Sequence, residues 1–332
     1  MISLIAFLAI GLQESEERKL KLATVPDAVR VVSFAFDREG NTVAYIMEKE
    51  GSYHVVAGDW TAGPFRQAAE LHLSPDGKHV GFMGTDVDGS FIQVNKKIIA
   101  RNDHTWAVGW GLAMSSDGSH VAYLMRDQQR GLWRIMVDGK QIGDVSARPR
   151  WPALSADGRT IAYSVQGGDK EYIVVGENRG PEFDYVTAPV LSTNGKVVAY
   201  GAEVNDQNML VRGSVKSPLP SWPSTVFISP DGSAAGCVLS RLEGDIKYYC
   251  VWAHGSKGED FQMIQYRPVL SPDGKTACYA ATKGGKNYIM IGDRKIECSS
   301  IVAQPAWRSD GRAIGYGTQL GRDLWWKEIK VK

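Results

Sequence analysis

The hexapeptide Leu73-Ser74-Pro75-Asp76-Gly77-Lys78 recurs almost verbatim as Leu270-Ser271-Pro272-Asp273-Gly274-Lys275. Looser copies occupy residues 114–118, 154–158, 191–195, 228–232 and 307–311, and a degenerate first copy is Phe36-Asp37-Arg38-Glu39-Gly40. The turn glycines are Gly40, Gly77, Gly118, Gly158, Gly195, Gly232, Gly274 and Gly311, spaced by 37, 41, 40, 37, 37, 42 and 37 residues. Self-similarity at so narrow a period marks a repeat architecture. Within each copy glycine supplies the positive φ that ends a tight turn. The preceding Asp and Ser side chains can fix that turn by hydrogen-bonding nearby backbone groups.

After each glycine a strand begins. Its third residue is aliphatic in every copy (Val43, Val80, Val121, Ile161, Val198, Ala235, Ala277, Ile314). Its fourth is small (Ala44, Gly81, Ala122, Ala162, Ala199, Gly236, Cys278, Gly315), and its fifth is aromatic in all but one. Period-2 alternation then gives each sheet one large and one small face, which suits face-to-face stacking on its neighbours. A second apolar strand follows, as in Tyr172-Ile173-Val174-Val175, then a weaker one, and an apolar residue often after Pro152, Pro189, Pro268 or Pro305 leads into the next unit. Four strands per roughly 40 residues is the unit of a β-propeller.

The expected fold is therefore all-β: a single eight-bladed propeller over residues 14–332, with seven blades as the alternative. The last unit stops after its third strand, at Lys330-Val331-Lys332, and Lys19-Leu20-Lys21-Leu22-Ala23 alternates polar and apolar ahead of the first unit. Pairing the two ends would close the ring and cover an open sheet edge.

Composition narrows the rest. The chain has 332 residues, with 38 Lys+Arg against 37 Asp+Glu, and 43% hydrophobic residues exclude wholesale disorder. Balanced charge argues against nucleic-acid binding or a polybasic membrane surface. Four cysteines are too few for a disulfide scaffold, and they form no zinc-ligand pattern. The apolar run at residues 2–11 is too short to span a bilayer. With Ala9-Ile10-Gly11 as a small-x-small site, residues 1–13 read as an export signal, although no Lys or Arg precedes the run. A periplasmic or secreted location follows from that reading, and a cytoplasmic one from its alternative, a packed or frayed N-terminal segment.

The S-P-D-G-K-x-V-A-Y string resembles the WD-repeat-like propeller of the TolB type, also found in prolyl-oligopeptidase-like peptidases. The resemblance covers essentially the whole chain after residue 18 and implies a fold, not a function. TolB-type proteins carry an α/β domain ahead of the propeller, for which there is no room here. The G-x-S-x-G nucleophile elbow of the peptidases is missing from the sequence, so their activity does not carry over.

Few residues point to chemistry. The turn aspartates repeat in every unit and read as structural, since a catalytic group is normally unique. Of the six histidines His54, His72, His79, His104, His120 and His254, only His104 falls in a loop away from the repeat turns and third strands. A lone histidine makes no metal site, so no metal and no cofactor is expected. Asp86-Val87-Asp88-Gly89 has part of a calcium-loop pattern but reads as a hairpin turn. A turn at Glu243-Gly244 would place Cys237 opposite Cys250, close enough for a disulfide.

The connections from each fourth strand to the next first strand collect His104, Trp106, Trp110, Arg148, Arg150, Trp151, Tyr185, Trp222, Tyr266 and Arg267. Trp, Tyr and Arg are the residue types enriched in binding hot spots. The expected function is non-catalytic recognition of a peptide, protein or glycan at this aromatic, arginine-bearing rim of the channel. The alternative is a glycan lyase or hydrolase, with Asp86, Asp88, Asp169 and Asp206 as its candidate carboxylates. Packing of the tryptophans between blades would remove the rim site altogether.

Overall fold

The computed structural model describes residues 18–102, 106–127, 129–142 and 148–331, and for 106–110 the backbone alone. The N-terminal run read as an export signal lies outside these residues. Every element described is a strand, and the strands form eight antiparallel sheets built on a common four-strand order. In the first blade these are Arg30–Phe36, Val43–Lys49, Ser52–Ala57 and Trp60–Phe65, joined in sequence order. The eighth blade takes Ala306–Trp307, Ala313–Leu320 and Asp323–Lys330 from the C-terminus and Arg18–Thr24 from the N-terminus. Leu20 lies opposite Trp326 and Arg18 opposite Glu328, so the ring closes as the alternation at residues 19–23 predicts.

The repeated turns are hydrogen-bonded alike. Ser74 Oγ donates to Asp76 Oδ1 at 2.6 Å and accepts the His79 N–H at 3.0 Å, while Asp76 Oδ1 accepts the Lys78 N–H at 3.1 Å. Ser115, Ser155, Ser192, Ser229 and Ser271 do the same with Asp117, Asp157, Asn194, Asp231 and Asp273. These bonds to the charged form hold the turn carboxyls below the usual aspartate range, led in each by the serine hydroxyl. The turns also join the blades. The backbone N–H of Ser116 reaches Ala156 O (2.9 Å), that of Ala156 reaches Thr193 O (3.0 Å), and that of Thr193 reaches Pro230 O (2.8 Å).

The core is divided among eight clusters, one at each blade interface. The large face of every second strand meets the preceding blade, and the small face receives the following one. Thus Val43 and Tyr45 pack toward the eighth blade, while Ala44 and Ile46 pack with Val80 and Phe82 of the second. At the closing interface Trp326, 1% exposed, stacks on Phe36 with ring centroids 5.8 Å apart. An added Cβ on Gly40 or Gly315 would lie 2.0 or 1.8 Å from its ring, so both glycines form the slot it fills.

The expected disulfide register is not found. The hairpin turns at Gly244-Asp245, with Glu243 opposite Ile246, so Cys237 faces Trp252 and Cys250 faces Leu239. The two thiols are diagonal neighbours on one face, a separation that exceeds disulfide reach, and all four cysteines are free. The one-residue displacement follows from Gly244, whose φ of +59° makes it the first turn residue.

Candidate functional site

Successive first strands contact one another around the ring, so they line the central channel. Each is irregular at the same height. Strand pairing skips one residue between Val31 and Ser33 and between Pro223 and Thr225, and two between Ala69 and His72, Gly109 and Leu112, and Arg150 and Ala153. In the fifth and seventh blades the strand is interrupted before Val190 and Val269, where Pro189 and Pro268 have no N–H for the ladder. The displaced residue sits seven or eight positions ahead of the turn glycine. Val32, Trp151, Ser224, Arg267 and Gln304 occupy this place and are all exposed. On an innermost strand the only solvent is channel water, so they form a waist of one residue per blade. In the second blade the residue is Glu70, whose carboxylate accepts the Leu112 N–H at 2.7 Å and the Gly111 N–H at 3.2 Å from the third.

The expected rim residues divide. His104 lies outside the described residues, and Trp106 and Trp110 are placed by backbone alone, on the first strand Trp106–Met114. Arg148 stacks on Trp133 at 5.4 Å and Tyr185 meets Trp222 edge-on at 6.4 Å, all near the ends of the second and third strands. Trp151 carries Arg150 over its ring at 4.5 Å and is 45% exposed. Two residues are spent on structure. Arg150 pairs at 2.5 Å with buried Glu171, which accepts the Val186 N–H at 2.9 Å, and Tyr266 packs into the core between blades seven and eight. These burdens are invisible in sequence because the partners come from neighbouring strands.

Arg267 belongs elsewhere. It lines a cavity of about 580 Å³ that opens among the repeated turns, at the mouth opposite the rim. Its side chain is open to channel water, while the crowding of the surrounding channel wall disfavours the charged form. His72, two residues beyond Glu70, lies within reach of its charge. Burial first, and then Arg267, lowers the His72 pKa to about 4. Sequence reading left His72 unplaced. Its signal was the waist position two residues earlier.

The carboxylates proposed for an enzyme lie at the hairpins between second and third strands of three different blades. Asp86 is held by both terminal nitrogens of Arg101 at 2.7 and 2.9 Å and accepts the Asp88 N–H, which also leaves no calcium loop. Asp169 and Asp206 lie at the hairpins of the fourth and fifth blades. His79 and His120 wedge beneath the next blade's turn, where an added Cβ on Gly118 or Gly158 would strike them. Among the described residues no group of three metal-ligating side chains forms. No helix there is long and apolar enough to cross a membrane.

No family model and no curated protein matches the chain. Solved structures do. The C-terminal WD40 domain of Sif2 superposes with a TM-score of 0.52 at 11% identity, covering 94% of this chain and 99% of that one. A eukaryotic initiation factor gives 0.52 at 13% identity over 92% of this chain and 87% of that one. Oligogalacturonate lyase from Vibrio parahaemolyticus gives 0.51 at 11% identity over 95% and 98%. TolB from Acinetobacter baumannii gives 0.38 at 14% identity over 92% and 79%, too weak a superposition to distinguish a TolB-type repeat from other propellers. At such identities the likeness is one of fold.

Proposed function

We propose that the protein is a non-catalytic binding propeller that recognises a peptide, protein or glycan at the aromatic, arginine-bearing rim on blades three to six. The exposure of its aromatics carries this reading. Tyr185 is 58% exposed with Trp222 packed beside it, Arg148 stacks on Trp133, and Trp151, 45% exposed, faces the channel from the waist. Large rings held in fixed geometry by their neighbours lose little entropy on binding and are the usual anchors of recognition surfaces. Glycan-array and peptide-display binding of the Arg148→Ala, Trp151→Ala and Tyr185→Ala variants tests it. Each substitution is expected to weaken a selected ligand about tenfold or more. Unchanged affinity in all three removes the rim as the site.

One observation favours the enzymatic alternative: His72 beside Arg267 is a base next to a charge stabiliser. A base with a pKa of about 4 is weak, however, and general-base efficiency falls as the pKa moves away from working pH. The binding reading is therefore preferred. Release of unsaturated products from uronate oligosaccharides, abolished by His72→Ala, would reverse that order.

A further inference from the structure

We propose that the turn-side mouth of the channel is a second binding site, which takes the free C-terminal carboxylate of a peptide, with Arg267 as its partner. It lies across the channel from the rim and does not depend on it. The cavity of about 580 Å³ is of ligand size, and its lining holds three arginines and no Asp or Glu. Arg308 is neutralised by Glu328 at 3.1 Å and Glu39 at 3.4 Å. Among the described residues no carboxylate pairs with Arg38 or Arg267. Arg267 is thus a cation at the channel waist, open to channel water and without a counter-charge, and a guanidinium does not escape by losing its proton. The polar groups near it do not answer it. Glu70 is turned to the Gly111 and Leu112 N–H groups, and His72 is neutral. An incoming carboxylate would supply both charge and acceptors, in the paired geometry a guanidinium favours.

The walls select the rest of the ligand. Phe36, Phe227 and Trp307 with several prolines offer apolar surface, whereas Gln304 is the sole side-chain amide for sugar hydroxyls. That suits apolar side chains ahead of a single carboxylate. Arg267 sits at the waist and the turns form the lip, so an entering chain presents its end first.

The test presents the full chain with a random heptapeptide library bearing free C-termini, the same library C-terminally amidated, and a set of oligouronates. Free-acid peptides with apolar last residues are expected to be enriched, and to weaken about tenfold or more on amidation or in Arg267→Met. Arg38→Met, at the open lip, is expected to weaken them severalfold, while Arg148→Ala and Tyr185→Ala at the rim leave them unchanged. Should Arg267→Met fail to fold, Arg267→Lys keeps the charge, loses the paired geometry, and is expected to weaken binding severalfold. Equal affinity for acids and amides, equal binding by both Arg267 variants, no enrichment, or selection of oligouronates over peptides would each overturn the proposal.

Discussion

Gly118 shows how much one residue carries here. Its φ of +66° closes the turn after Ser115, as the repeat pattern implies. The structure adds a second demand, because a Cβ there would lie 2.2 Å from Cβ of His79 in the preceding blade. Gly118→Ala therefore combines left-handed strain with a clash that backbone and a half-buried ring must absorb. Urea unfolding is expected to show a loss of about 2 kcal/mol or more. A loss no larger than that of an exposed glycine such as Gly139, which has a similar φ of +79° and open space around it, would show that the blades do not press on the turn. The sequence revealed the turn requirement of this glycine. The interblade requirement was out of reach, since His79 is 39 positions away and gives no local sign of packing there.

Strand pairing is where sequence reasoning erred most clearly. The extent of the hairpin over Ala235–Glu243 and Ile246–Ala253 is legible from its apolar strands. Its register rests on which residue of Glu243-Gly244-Asp245 opens the turn, and a shift of one moved every pair in it. Thiol chemistry checks the result. Denaturation without reductant is expected to expose four alkylatable thiols. In the native state Cys298 should react first, because Cys237, Cys250 and Cys278 are buried. Two thiols lost to alkylation under denaturing conditions would restore the disulfide. The bulges of the first strands were half legible. Proline signalled the break in the fifth, seventh and eighth blades, but nothing local announced that the residue before it would face the channel.

At the scale of the ring, closure depends on the pairing of Arg18–Thr24 with Asp323–Lys330. Glu328, 7% exposed, accepts Arg18 at 3.1 Å, Arg308 at 3.1 Å and the Trp326 indole N–H at 3.3 Å, which ties the closing strand to the interior of the eighth blade. Removing residues 1–24 would open an eight-residue strand edge in that blade. Calorimetry is expected to show a fall in Tm of about 10 °C or more, and light scattering a concentration-dependent association. An unchanged Tm with a monomeric product would mean that the first blade holds the last one unaided.

The repeat by itself determined the number of blades, the strand order within each, the large and small faces, and the partner that closes the ring. Those features follow from local turn chemistry and period-2 alternation, which a short window of sequence contains. Tertiary structure alone decided which way the large faces point and which arginines are free. Arg150 and Arg267 are the same residue type in comparable connections, yet one is spent on Glu171 and the other stands in the channel without a counter-charge. Charge compensation is a property of distance in space, and in a ring the nearest carboxylate belongs to another strand or another blade.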